Sequence, residues 1–168
     1  VSRHQPADDQ DSHEAGQLMA VSIAPSVEAM QALVARINSA ETYCLDIVAN
    51  YSETAVDPLE ELADLRCDVV SESEEQLVET LAIEDRTSHI IRIWLRKKIS
   101  GLVPNEVDEL KLLFRQIFQR VNNYDTTDRR VTVWECDVDP KEVPVKELLQ
   151  QAGLFVASLV LRVEVEAS

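Results

Sequence analysis

His89 is the one histidine of this chain outside the first 24 residues, so a general base would be sought there first. No serine or cysteine stands at a recognisable nucleophile turn, and no G-x-S-x-G occurs. His89 shares strand parity with Ile91 and Ile93, which predicts a packing role. Cys44, Cys67 and Cys136 lie 23 and 69 residues apart without a C-x-x-C knuckle. A zinc site made from them and His89 would require four separate strands to converge. Glu135, Asp137 and Asp139 alternate and so share one face of a strand, where oxygen ligands could hold a divalent cation. The turn glycine of an EF-hand loop is missing, and a solvated acidic rim is the expected state of these three residues. Gly16, Gly101 and Gly153 are the only glycines, too few for a phosphate-cradling loop. With 31 acidic residues some carboxylate pair always exists, so a pair by itself says nothing about glycosidic chemistry. Aromatic content of 5% points away from sugar and nucleobase sites, which rely on stacking. No catalytic residue, metal ligand or cofactor is assigned.

Arg92, Trp94 and Arg96 are different, because they alternate with Ile91, Ile93 and Leu95 and so occupy the opposite face of the same strand. A tryptophan flanked by two arginines has the composition of an interface hot spot. It is equally the composition of a face covered by another segment of the same chain.

The elements that must position these residues follow from periodicity. Ser26 is placed to cap a helix whose Val27, Met30, Leu33, Val34 and Ile37 recur at three- and four-residue spacing, ending near Ser39. Alternation over residues 43–51 predicts a strand with Tyr43, Leu45, Ile47 and Tyr51 on one side. Asp57 and Pro58 open an acidic linker, residues 59–64. Leu65, Cys67 and Val69 then form a second strand, with residues 71–75 expected as an acidic loop or short helix. Residues 86–99 form the strand that carries His89 and the Arg-Trp-Arg face. Pro104 and Asn105 open a helix with Glu106, Asp108 and Glu109 in its first turn and Arg120 near its end, as the helix dipole favours. Val107, Leu110, Leu113, Phe114, Ile117 and Val121 make its apolar stripe, and Asn122 and Asn123 terminate it. A polar loop (124–130), a strand (131–138) and a linker with a short helical turn (139–151) follow.

The last strand, residues 154–166, alternates Phe155, Ala157, Leu159, Leu161, Val163 and Val165 on one face. Its other face starts apolar and turns polar at Arg162, Glu164 and Glu166. Thirteen residues would span ~43 Å, well beyond an ordinary strand. Such a length predicts a bend, or a strand that serves a neighbouring subunit. The whole reads as an α+β fold, a mainly antiparallel sheet of four to five strands with two principal helices on one face. Residues 1–24 read as a flexible N-terminal arm and 25–168 as a single domain.

A formal charge of −15 argues against gripping phosphate backbones, since that affinity comes from Lys and Arg displacing counterions. No apolar run is long enough to cross a bilayer and no secretory leader pattern opens the chain, so a cytoplasmic protein with free thiols and no membrane association is expected.

One extended pattern resembles a known family. After the amphipathic opening helix comes a strand, then Asp57-Pro58-Leu59-Glu60-Glu61-Leu62-Ala63-Asp64-Leu65-Arg66-Cys67-Asp68-Val69-Val70, then an Ile-rich strand ending in Arg96-Lys97-Lys98. Glu106-Val107-Asp108-Glu109-Leu110 opens the next helix, and Leu148-Leu149-Gln150-Gln151-Ala152-Gly153-Leu154-Phe155-Val156-Ala157-Ser158 leads into the final strand. Across residues 27–166 this order and character resembles the tailed-phage neck proteins, the tail terminators or tail-to-head joining proteins. The resemblance implies a virion component assembled in the host cytoplasm, a homo-oligomeric ring, usually of six subunits, that joins tail tube to head. It also implies a protein that is not an enzyme and contacts tail-tube and head-neck proteins. DNA would pass without specific binding, which a strongly acidic subunit permits by repulsion. Arg92, Trp94 and Arg96, with Arg162, Glu164 and Glu166 at the end of the last strand, are the expected interface residues. Two other readings stand beside it: an acidic adaptor or inhibitor of low oligomeric state that presents residues 72–85, and a hydrolase using a cation at Glu135, Asp137 and Asp139.

Overall fold

The computed structural model describes residues 23–40, 42–52, 64–77, 86–101 and 104–166. The expected arm up to residue 22, most of the acidic linker and residues 78–85 lie outside the described residues. The elements are α1 (Pro25–Asn38), β1 (Ala49–Ser52), β2 (Arg66–Leu77), β3 (Arg86–Lys98), α2 (Glu106–Val121), β4 (Val131–Val138), α3 (Lys146–Ala152) and β5 (Leu154–Glu166). The five strands form one sheet in the order β1-β2-β3-β5-β4. Only β1 and β2 run parallel; the other neighbours are antiparallel, so the α+β reading holds.

Helix α1 starts one residue before the expected cap. Pro25 sits in the first turn, where its fixed φ suits a helix and its missing N–H is no loss, and Ala24 precedes it without a side-chain cap. Asn105 precedes α2 at φ 64°, a left-handed conformation that asparagine tolerates. Gly153, at φ 62°, ends α3 and passes its N–H to the helix's last carbonyls before β5 begins.

One face of the sheet is floor. Cys67, Val69, Ile91, Ile93, Leu95, Val131, Val133 and Cys136, with the whole Phe155 to Val165 row, are buried there. Both long helices lie on it, α1 across β1, β2, β3 and β5 and α2 on β5 and β4. Ala29, Met30, Leu33 and Ile37 of α1 and Leu110, Leu113, Phe114, Ile117 and Val121 of α2 are buried against it. Apart from the small Ala29, each such side chain removed from water is worth about 1.5–3 kcal/mol, which is why the two amphipathic helices settle on this face.

Three expectations are corrected. The strand expected over residues 43–51 is a ladder only at Ala49–Ser52, because its partner β2 begins at Arg66 and offers nothing to pair with earlier. Residues 43–47 still alternate in burial, but they lie along the helices: Tyr43 donates its hydroxyl to the Ile37 carbonyl (2.8 Å), and the Cys44 N–H reaches Gln116 Oε1 (2.9 Å). The acidic run after Val70 is strand, not loop or helix; a bulge between Ser71 and Ser73 resets the register and lets β2 follow β3 to Arg86. Finally, β5 neither needs a foreign partner nor lies at an edge. β3 pairs with it over all thirteen positions, from Arg86 opposite Glu166 to Lys98 opposite Leu154. β4 flanks its other side from Leu159 to Val165, and the following segment continues the pairing through Asp139 N to Ser158 O (3.1 Å) and Val145 N to Val156 O (3.0 Å).

Candidate functional site

The six expected interface residues all lie on the sheet face that α1 and α2 do not cover, in two clusters set by the β3–β5 register. The first is built from β2, β3 and β5 around Arg92, Trp94 and Arg96, which stand opposite Val160, Ser158 and Val156. Arg96 is 3% exposed, and its Nη2 donates to Asp68 Oδ2 at 2.9 Å. Arg66 approaches the other oxygen of Asp68 at 3.5 Å. Arg96 therefore supports the face from beneath. Arg92 is more open and spreads its guanidinium over four acceptors: Glu72 Oε1 (2.6 Å), the Asp139 carbonyl (2.8 Å), Ser158 Oγ (2.9 Å) and Asp139 Oδ2 (3.3 Å). It also lies 5.2 Å over the Trp94 ring, a cation–π contact that fixes the half-buried indole. Burial opposes the charge of Arg92, but hydrogen bonds and charge from Glu72 and Asp139 outweigh it and leave its pKa raised. The chain itself thus supplies the carboxylates this cluster needs, and the segment after β4 covers part of it.

The second cluster is at the far end of β5, ~20 Å from Ser158 at the rise of an extended strand. Arg162 Nε donates to Ser88 Oγ (3.3 Å), and Glu164 lies 4.0 Å from Arg86. The Glu166 N–H donates to the Arg130 carbonyl (2.8 Å). Trp134, which the sequence reading did not single out, belongs here. A bulge between Val133 and Glu135 makes it the extra residue of β4, and it is 56% exposed beside Arg86, Arg129, Thr132, Glu164 and Glu166. A parity break in the sequence was available as a signal: Val131, Val133 and Cys136 are inward only if one residue between them is skipped.

The residues considered for other chemistry are dispersed. His89 is fully buried, with Nε2 2.7 Å from Thr87 Oγ1. Cys67 and Cys136 lie in the floor, where burial pushes both thiols up to about 12, and Cys44 is exposed. Glu135 and Asp137 are exposed, and Asp139 is engaged by Arg92. Among the described residues no three His, Cys, Asp or Glu side chains are grouped to hold a metal ion, and no helix is long and apolar enough to cross a membrane.

No protein-family model and no curated protein matches this sequence. Among solved structures it is similar to a chain of the virion of a native gene transfer agent particle, with 16% identity and a TM-score of 0.40, over 84% of this chain and 90% of that one.

Proposed function

We propose that this chain is a structural assembly protein of a phage or prophage virion, a neck or tail-terminator subunit that self-associates into a ring joining tail tube to head. The observation that carries this reading is the helix-free face at the far end of β5, where rigid paired strands present Trp134, 56% exposed, within a rim of Arg86, Arg129, Glu164 and Glu166. An exposed aromatic anchor held on regular strands and ringed by charges of both signs has the anatomy of a protein contact. The element order implied by the family resemblance is also the order of the folded chain. Closure into a ring requires a heterologous contact, one patch against a different patch of the next subunit. The function is binding geometry without turnover, and the charge of −15 lets DNA pass a lumen without sticking.

Native mass measurement and negative-stain imaging test this directly. Rings that bind tail tubes are expected, and Trp134→Ser is expected to abolish them while leaving the fold intact. A monomer of 18.9 kDa at every concentration, with no rings and no tail-tube binding, would overturn the reading and leave an acidic adaptor of low oligomeric state.

A further inference from the structure

The helical layer contains an open cavity of about 600 Å³ between the C-terminal parts of α1 and α2, lined by Arg36, Ser39, Thr42, Tyr43, Gln116 and Arg120 among others. Its lining is unusual for this chain. Acidic residues outnumber basic ones by 31 to 16, yet the described residues around the cavity include two arginines and no carboxylate. The two guanidiniums are held in a reciprocal clamp: Arg36 Nε donates to the Arg120 carbonyl and Arg120 Nε to the Arg36 carbonyl, both at 3.0 Å. Arg120 Nη2 also donates to Ser39 Oγ (2.9 Å), and Arg36 stacks 4.5 Å over the Tyr124 ring.

These contacts quiet the negative ends of both helices and immobilise the guanidiniums by their inner edges. Each guanidinium carries five N–H donors, so most of the Nη donors are left without a protein acceptor among the described residues. Elsewhere in the described structure Arg92, Arg96 and Arg130 each meet a carboxylate of the chain. The Arg36–Arg120 pair does not. The Ser39 and Tyr43 hydroxyls already donate to the Arg36 and Ile37 carbonyls, so the donors facing a ligand are the two immobilised guanidiniums with Thr42 and the Gln116 amide, a set that oxyanions select, and little of the ordering cost of binding is left to meet.

We infer that this cavity is a binding site for a small oxyanion, phosphate or carboxylate, held between Arg36 and Arg120. An extended polyanion is disfavoured by the net charge around it, whereas one or two oxyanion groups are not. The inference is independent of the ring reading.

Titration calorimetry of the full chain with inorganic phosphate and, separately, with citrate tests the site and tells its two sources apart. Saturable 1:1 binding of either at constant ionic strength is expected, weakened at least tenfold in Arg36→Lys/Arg120→Lys, which keeps the charge and loses the forks. Thermal melting of that variant without ligand checks that it folds; should it not, Gln116→Leu, which removes a lining donor while sparing the clamp, is expected to weaken binding severalfold. No saturable heat at millimolar ligand would overturn the inference, as would equal binding by wild type and both variants. Glu41, outside the described residues, provides a further check: binding seen only after Glu41→Gln would also overturn it.

Discussion

The two faces of the sheet are made by the same strands, residue by residue, yet they are held together by different physics. On the helix-covered face β5 contributes Phe155, Ala157, Leu159, Leu161, Val163 and Val165, every one at most 1% exposed, and the stabilisation is apolar area removed from water. On the other face the same strand contributes Val156, Ser158, Val160, Arg162 and Glu164, and cohesion comes from paired charges such as Arg96 with Asp68 and Arg92 with Glu72 and Asp139. The first kind of surface is nondirectional and tolerates no water. The second is directional, satisfied partner by partner, and leaves a rim that can meet another protein.

Breaking the apolar side should cost most. Phe155→Ala removes a fully buried ring from the floor under the helices and is expected to lower unfolding stability by about 4 kcal/mol, measured by denaturant titration. Asp68→Ala should cost somewhat less, about 3 kcal/mol, because it removes the carboxylate that the buried Arg96 guanidinium donates to at 2.9 Å. The comparison sharpens with the double variant Asp68→Leu/Arg96→Met. If the pair is held for geometry more than for stability, the double variant recovers most of the loss, and a loss larger than the single variant's would contradict that.

A smaller, pH-dependent effect is expected where the floor ends. Lys97 Nζ donates to Glu106 Oε1 at 2.6 Å, and this hydrogen bond, against the opposing effect of burial and with help from the Lys97 charge and Ser100, holds the Glu106 carboxyl below its ordinary value. Its folded pKa is depressed, so its contribution is present above the ordinary glutamate value of 4.5 and is lost as pH falls through the folded value. The stability gap between wild type and Glu106→Gln should therefore be constant near neutrality and close on acidification, as read from melting curves across pH. A gap that widens in acid would reverse the sign.

Thiol chemistry gives the gentlest probe, with no effect on stability. Cys67 and Cys136 are buried in the floor with thiols pushed up to about 12, whereas Cys44 is exposed. One equivalent of a disulfide reagent should be consumed by the native protein at mildly alkaline pH and three after denaturation. Reaction of two thiols in the native state would show that the floor opens.

Much of this was legible in order and face. The inward row of β5, the stripe of α2, the core parity of His89 and the outward placement of Arg92, Trp94 and Arg96 follow from period-2 and period-3.6 patterning, which is local and survives any tertiary arrangement. What failed were inferences about neighbours. Residues 43–48 alternate like a strand but have no partner there, residues 71–75 look like a loop but are drawn into a ladder by β3, and Trp134 is turned out by a bulge that only pairing with β5 defines. The interface candidates illustrate the same division, since which of them is spent inside the chain depends on Asp68 and Asp139, dozens of residues away in sequence. The sequence by itself determined which side chains share a face within each regular stretch of helix or strand, because that depends on the local backbone period alone. Only the tertiary structure decided which strand lies beside which, that β5 lies inside the sheet between β3 and β4, and that Arg36 and Arg120 meet across two helix ends, because those follow from contacts between distant segments.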